Sequence, residues 1–565
     1  MDIQWIVEDG VSDEVIKQLA DDLRVPPVFA HILFSRGIKN LADAKHFFRD
    51  GIECLHDPFL MADMELASQT VINAMQEGQK ILIYGDYDVD GITSTSMLVL
   101  FFRQMGYEVE YHIPNRIKDG YGLNVSTIEN IHAKGIELII TVDCGITAFE
   151  ETRRAAELGM QVIVCDHHQP GAELPEAVAV LNPKRNDCPF PFKELAGVGV
   201  AFKLAQAIAL RSEFDIDQLF RLLDLVAIGS AADIVPLVDE NRIFTRAGLL
   251  ALMQTDNTGL KALLKRTRLD NKNLGTGDII FVLAPRMNAV GRMGEASRAV
   301  ELLTTSDEEK AEAIVTVLEN ENLNRRVLDE GTFKEAQSML DGSFNPEEDA
   351  VLVLESEKWH PGIIGIAASR IVEKYYRPTV MISNTDGKGK GSARSISGFS
   401  IYDAIESCSD LLLSFGGHKY AAGLSIKSEN IPEFRKRINA FARSVLTEEL
   451  LKKKLRISGG IRFADITEKF LLVLKMLAPF GPQNLKPVFC SSGVKVIGTP
   501  RIVGSNHLRF RAAQGGITFD AIGFNLGGKI DQIKKKAGPF DIAYLVEENE
   551  WKGRVSTQLR IRDIR

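Results

Sequence analysis

Between residues 81 and 91 the chain reads ILIYGDYDVDG. An apolar run, Ile81 to Tyr84, is followed at once by three acids at alternate positions, Asp86, Asp88 and Asp90, and then by Gly91. Alternate residues of an extended segment face the same way, so the three carboxylates are expected to converge. Carboxylates held that close repel unless a cation sits among them, and hard divalent cations with oxygen ligands answer the need. The competing reading is an acidic turn that caps the next helix, with Asp90 or Thr93 as the capping residue. The pattern recurs further on. ELIITV at 137–142 runs into Asp143, Cys144 and Gly145, and QVIVC at 161–165 runs into Asp166, His167 and His168. An acid beside two histidines offers carboxylate oxygen and imidazole nitrogen to one ion. The apolar stretch RLLDLVAIGSAA at 221–232 delivers Asp233, as a helix stop or as a further ligand.

These acids stand at the ends of apolar strands, and open α/β sheets bind ligands at the carboxyl ends of their strands. ELASQTVINAMQEG at 65–78 reads as an amphipathic helix ending at Gly78. The segment 92–106 reads as a helix stopped by Gly106, and YEVEYHI at 107–113 as a strand. Strands alternating with helices at this spacing predict an α/β unit, a parallel sheet flanked by helices, over 51–305. Residues 1–50 read as a helical N-terminal appendage, and 306–345 as a charged connecting helix. Strands at 350–355 and 378–383 open a smaller α/β unit over 346–450. Short strands with Gly turns and a helix at 467–478 predict a β-barrel of the OB type over 451–565.

Length alone, 565 residues, suggests three or four domains. With 45% hydrophobic and 25% charged residues the composition is that of a globular protein. MDIQWIVEDG carries no signal-peptide pattern, and no apolar run is long enough to span a bilayer. Six cysteines without CxxC spacing fit a reducing cytoplasm and argue against a disulfide framework or zinc knuckles. The net charge of −9 is unevenly spread: residues 451–565 hold 21 Lys and Arg against 9 Asp and Glu, a balance of +12 that leaves −21 on the first 450. A basic module on an acidic body suits a polyanion partner, or is a plain solvated face.

Taken together, DYDVDG (86–91), VDCG (142–145), DHH (166–168) and ADIVPL (232–237) resemble the motifs of the DHH phosphoesterase superfamily. Within it the chain is similar to the RecJ family of single-strand-specific 5′→3′ exonucleases. The likeness extends to APRMNAVGRM (284–293), WHPGIIGIAASR (359–370) and GGHKYAAG (416–423), the last being the signature of a DHHA1 domain. The resemblance implies that Asp88, Asp90, Asp143, His167 and Asp233 ligate one or two Mn²⁺ or Mg²⁺ ions. It puts Asp86, Asp166 and His168 at or just behind the ions as catalytic positions. It also implies a role in recombination and repair, with single-stranded DNA as substrate and a single-strand-binding protein and a helicase as partners. A monomer is expected.

Substrate grip is expected from the second half. The glycine-rich GKGKGSARS (387–395), with Lys388, Lys390, Ser392, Arg394 and Ser395, reads as a loop able to wrap a phosphate, or as a hairpin tip. It lacks the Walker A spacing. His360 follows a strand, and Gly416 and Gly417 allow close backbone approach, bringing His418 to the scissile phosphate. Arg116 and Arg292 match family positions that bind the 5′ phosphate, with Arg286 and Asn288 serving or supporting the same loop. In the barrel, Phe510, Phe519, Phe524 and Trp551 are candidates for base stacking or for core, and Arg509, Arg511 and Lys534–Lys536 for backbone contacts. Two rivals stay open: an enzyme for small phosphoesters, and a catalytically silent DNA-binding scaffold.

Overall fold

The computed structural model describes residues 3–7, 12–49, 51–115, 120, 122–293, 295–535, 538–551 and 554–565. Its strands in chain order begin with β1 (Gln4–Val7), β2 (Ile81–Gly85), β3 (Glu110–His112), β4 (Leu138–Val142), β5 (Gln161–Cys165) and β6 (Ala179–Leu181). There follow β7 (Leu352–Ser356), β8 (Thr379–Thr385), β9 (Lys388–Arg394), β10 (Leu412–His418) and β11 (Ala421–Lys427). The chain closes with β12 (Lys454–Ile457), β13 (Gly459–Gly460), β14 (Phe489–Val503), β15 (His507–Gln514), β16 (Ile517–Gly523), β17 (Phe540–Trp551) and β18 (Arg554–Ile564).

The first sheet has the order β3-β2-β4-β5-β6, every pair parallel. β2 and β4 are buried along their whole length, as the unbroken runs of Ile, Leu and Val require of strands covered on both faces. The register matters most. Gly85 pairs with Val142, and Val142 with Cys165. The next residues of the three strands, Asp86, Asp143 and Asp166, therefore stand in one row along the sheet edge.

A 36-residue helix, Glu308–Ser343, leads to the second sheet, of order β10-β11-β9-β8-β7. Here the structure corrects one expectation. Only Gly387 of GKGKGSARS is at a hairpin tip, in the turn that joins β8 to the next strand; Lys388–Arg394 form β9, hydrogen-bonded between β11 and β8 in the middle of the sheet. Its glycines make room for neighbours, since a Cβ at Gly391 would lie 2.7 Å from Leu424 Cδ1 and one at Gly389 2.6 Å from Ile382 Cγ2.

In the third unit β14, β15, β16, β18 and β17 pair in turn, and β17 returns to β14, closing a five-stranded barrel. The β16–β18 pair is parallel and the others antiparallel. The first 50 residues depart from an all-helical reading: β1 pairs in parallel with β12, about 450 residues away, and Trp5 Nε1 donates to Asp563 Oδ2 at 2.8 Å. The helix Pro27–Ser35 then packs Phe29 against Phe470 of the barrel domain, ring centroids 4.7 Å apart. Among the described residues no helix is long and apolar enough to cross a membrane.

Candidate metal centre and the cavity beside it

Asp88 closes the turn after β2. Its Oδ1 accepts the N–H groups of Asp90 at 2.9 Å and Gly91 at 3.2 Å, so it is the N-cap of the helix Val89–Gln104. The capping role falls to Asp88, not to Asp90 or Thr93. Asp90 consequently lies in the first helical turn rather than in an extended segment, and the three acids converge through a strand-to-helix turn. Gly91 is needed there, because a Cβ would fall 2.5 Å from the Asp86 carbonyl oxygen. Both oxygens of Asp90 face the start of the helix Gly197–Arg211: Oδ2 accepts from Gly197 N at 2.7 Å and Oδ1 from Val198 N at 2.8 Å. Two amides and a helix N-terminus thus hold this buried carboxylate.

Asp166 is fully buried and saturated. Its Oδ2 accepts from Ile146 N at 2.9 Å, while Oδ1 takes the amides of His167 and His168 and stands 2.8 Å from His168 Nδ1. It orients its neighbours rather than offering a free oxygen. His167 Nε2 lies 3.2 Å from Asp143 Oδ1, 3.6 Å from Asp233 Oδ2 and 4.0 Å from Asp90 Oδ2. Asp233 is the C-cap of the helix Leu223–Ala232, so it is both helix stop and member of the cluster. Three overlapping triplets have ligand atoms within 4.8 Å of one another: Asp143, His167 and His168; Asp90, His167 and Asp233; Asp86, Asp88 and Asp143.

The electrostatics ask for a cation. Burial, with Asp88 adding to it, pushes Asp90 up to about 7 against its two amide donors. Burial and four neighbouring acids hold Asp143 well above the usual carboxylate range, and burial with Asp90 and Asp88 does the same to Asp233. Burial and His168 push His167 down to about 3, leaving it the neutral imidazole that ligates metals. Both ring nitrogens of His167 are buried without a hydrogen-bond partner among the described residues. Buried carboxylates and an imidazole lacking a proton partner fit a divalent metal.

The next opening is a cavity of about 580 Å³ between the first and second sheets' domains, lined by Arg292, Gly362, Ser392, Arg394, Gly416 and Gly417 among others. It adjoins the acids through VGRM: a Cβ at Gly291 would sit 2.5 Å from the Tyr87 carbonyl oxygen, and Arg292 is the following residue. Arg292 Nη1 donates to the Gly362 carbonyl at 3.1 Å, and Gly362 N donates to His360 Nδ1 at 3.0 Å. Arg394 Nη1 donates to Ser392 Oγ at 3.1 Å.

Residues 80–230 match the DHH family, N-terminal domain, 348–444 the DHHA1 domain and 457–563 the RecJ OB domain. The chain is 38% identical to the Bacillus subtilis single-stranded-DNA-specific exonuclease RecJ over 99% of its length and 70% of that protein. It is 35% identical to the Escherichia coli RecJ over 96% of each. The chain belongs to the RecJ family. The fold agrees: the crystal structure of RecJ in complex with Mn²⁺ from Thermus thermophilus superposes with a TM-score of 0.85 at 29% identity, over 100% of this chain and 79% of that one.

Not every expected residue of this RecJ-family chain reaches the two sites. Ser395 points elsewhere, its Oγ donating to the Phe399 carbonyl at 2.9 Å. His418 is exposed at the end of β10, next to Gly417 but outside the cavity lining. Arg286 is engaged by Glu319 of the long helix at 2.6 Å. Arg116 and Lys536 lie outside the described residues, as does the side chain of Trp551. Phe510 and Phe519 pack in the barrel core, whereas Phe524 is 45% exposed with Arg560 over its ring. Two contributors carry no chemistry of their own. A Cβ at Gly197 would meet Asp143 Oδ1 at 2.8 Å and one at Gly229 would meet Asp90 Oδ1 at 2.9 Å. Gly197 lies in the Gly-rich AGVGVAF at 196–202, and Gly229 in the apolar run at 221–232.

Asp166→Asn tests the orienting role. Burial opposes a charged His168, yet the Asp166 hydrogen bond and charge hold it up at about 9. In metal-free Asp166→Asn the imidazole is expected to titrate lower by about one unit or more, read by histidine proton NMR. Metal-supported turnover should fall on the order of 10- to 100-fold, as for the loss of a ligand's outer partner. An unchanged titration would refute it.

Proposed function

We propose that this chain is a metal-dependent 5′→3′ exonuclease that degrades single-stranded DNA to nucleoside 5′-monophosphates, in recombination and repair. One observation carries the reading: a cation-demanding acid–histidine cluster is connected through Tyr87, Gly291 and Arg292 to an arginine- and serine-lined cavity. Asp88, Asp90, Asp143, His167 and Asp233 would hold Mn²⁺ or Mg²⁺, and the overlapping triplets that share Asp143 and His167 suit two ions. Such ions lower the pKa of a bound water and stabilise the attacking and leaving oxygens of an in-line displacement. The chain's own residues do the rest. Asp166 sets the ring of His168 beside Asp143, Asp86 supports the row from the end of β2, and Arg292, Ser392 and Arg394 bind the terminal phosphate. His360 stiffens the Gly362 turn against Arg292. Gly416 and Gly417 line the cavity with bare backbone, while His418 and Ser395, next to Gly417 and Arg394 in the chain, are not part of that lining. Arg116 would join the phosphate contacts.

Anchoring the 5′ phosphate at Arg292 and Arg394, beyond the metals, would give the polarity. The closed barrel, with its basic surface, would hold the downstream strand. Cytoplasmic location, a monomeric state, and a single-strand-binding protein and a helicase as suppliers of strand complete the reading.

The test is digestion of 5′-labelled and 3′-labelled single strands, with a duplex control, under Mn²⁺, Mg²⁺ and EDTA. Prompt release of the 5′ label as mononucleotide, from single strands and only with metal, is the expected result. Cleavage of dinucleotides with long DNA untouched, or DNA binding without cleavage, would overturn it. For the cavity, Arg394→Ala is expected to raise KM for 5′-phosphorylated strands about tenfold and to flatten the salt dependence by about one phosphate contact. Equal KM and salt slope in variant and wild type would remove Arg394 from the phosphate site.

A further inference from the structure

Beyond Asp233 the chain has no regular structure until the helix Asp239–Met253, and the backbone there is strained. Ile234 has φ of 60°, a left-handed conformation unfavourable for a branched side chain, and is 60% exposed, so its own packing does not hold it. Such strain persists where the surroundings over-determine it. The surroundings here belong in part to the barrel domain. Leu237 N donates to the Pro482 carbonyl at 2.9 Å, and Gly481 lies against the Leu237 side chain so closely that a Cβ would fall 2.5 Å from Leu237 Cδ1.

The turn that provides Gly481 and Pro482 is itself pinned to the catalytic domain. The guanidinium of Arg242, nearly buried, donates to the carbonyls of Met476, Leu477, Ala478 and Pro479 at 3.0–3.4 Å. Thr276 Oγ1 donates to the Phe480 carbonyl at 2.7 Å. Inside the turn, fully buried Asn484 donates through Nδ2 to Leu477 and Pro479 at 2.8 and 2.7 Å.

We propose that the Gly481–Pro482 turn of the barrel domain is a positioning element for Asp233, so that docking of the barrel sets the geometry of the metal centre and does more than bind strand. Three residues separate Asp233 from Leu237, and the barrel fixes the far end of that span. Ile234 absorbs the resulting twist. The consequence for turnover rests on the nuclease reading above, but the consequence for metal binding does not.

The experiment compares wild type, Gly481→Val, and Gly481→Val combined with Leu237→Ala. Gly481 is not among the positive-φ glycines, and the three atoms nearest a Cβ there all belong to Leu237. Mn²⁺ affinity is measured by calorimetry, unfolding by circular dichroism in EDTA, and turnover on a 5′-phosphorylated dinucleotide too short to reach the barrel. The expected result for Gly481→Val is Mn²⁺ affinity weaker on the order of tenfold, with dinucleotide kcat reduced, KM for long single strands unchanged, and metal-free unfolding near that of wild type. Leu237→Ala should restore affinity and kcat together. A folded Gly481→Val with wild-type Mn²⁺ affinity overturns the proposal, as does a loss that Leu237→Ala does not relieve. If Gly481→Val does not fold, Gly481→Ala replaces it and is read by the same criteria. Wild type that binds Mn²⁺ without cleaving DNA would sink the nuclease reading and leave this inference standing on the affinity arm.

Discussion

Asp143→Asn is expected to abolish cleavage while making the metal-free protein harder to melt. The loss of activity follows from position. Asp143 belongs to two of the three triplets, and its Oδ1 stands 3.2 Å from His167 Nε2, closer to that nitrogen than Asp233 or Asp90. Losing several kcal/mol of charge stabilisation corresponds to a drop on the order of a thousandfold or more. The gain in stability follows from the same position. Asp143 is 2% exposed, and burial plus the charges of Asp90, Asp88, Asp233 and Asp86 raise its carboxyl well above its unfolded value. A carboxyl raised in this way costs nothing at pH below its unfolded pKa, and the penalty grows as pH climbs toward the folded value. Asp90, lifted to about 7, adds to the same trend. Metal-free wild type should therefore lose stability between about pH 4 and neutrality. Asn removes a central charge, and the φ of 60° at this position suits Asn. Scanning fluorimetry in EDTA should show the variant melting higher at pH 8, with a smaller gap at pH 5. Added Mn²⁺ should raise the melting temperature of wild type much more than that of the variant. A variant that melts below wild type at pH 8 in EDTA would show that the acids are not in conflict.

The acid–histidine cluster was legible because its residues are chemically loud and several sit where strand ends put them. Asp86, Asp143 and Asp166 follow three apolar runs that end in register, so acids placed directly after parallel strands are expected in one row. The supports of the site were not legible, because they are backbone groups and glycines. Asp90 is held by the amides of Gly197 and Val198, more than a hundred residues on, and no side-chain motif announces an amide. The acidic-turn and metal readings of DYDVDG also proved compatible, since Asp88 caps the helix and remains within the cluster.

Elsewhere local pattern misled in a consistent direction. Glycine density made β9 look like a loop, when the glycines accommodate Leu424 and Ile382 from the flanking strands. The first 50 residues read as a helical appendage because the partner of β1, residues Lys454–Ile457, is remote in sequence. The aromatics of the barrel could not be sorted from sequence at all. Phe510 lies within β15 and faces the barrel core, whereas Phe524 stands in the turn just after β16 and is 45% exposed. Each of these is a tertiary pairing, invisible to a window of a few residues.

Lys203→Met should destabilise the protein by about 3–5 kcal/mol, the cost of leaving one partner of a buried ion pair uncompensated. Lys203 and Glu240 are both 0% exposed, with Nζ 2.5 Å from Oε1. Nζ also donates to the His56 carbonyl at 2.6 Å and to Gln206 Oε1 at 3.1 Å, and lies 5.6 Å from the centroid of the Phe190 ring. Glu240 Oε1 accepts from His56 N at 2.8 Å, while its Oε2 has no hydrogen-bond partner among the described residues. Burial pushes Lys203 down and Glu240 up, each opposed by the other's charge, so the ionised pair survives only as a pair. Once Lys203 is gone, the Glu240 carboxyl is raised further. The penalty should then grow as pH rises above the ordinary value for Glu, about 4.3, and be smaller at pH 5 than at pH 8. Urea unfolding at the two pH values measures this directly. Lys203→Met with Glu240→Met should recover most of the loss, because an apolar pair of similar volume carries no desolvation cost. The two helices joined by this pair are the one whose N-terminus holds Asp90 and the one that follows Asp233 and Leu237. A single-mutant loss below about 1 kcal/mol, or a double variant no better than the single, would mean that packing rather than the ion pair ties those helices together.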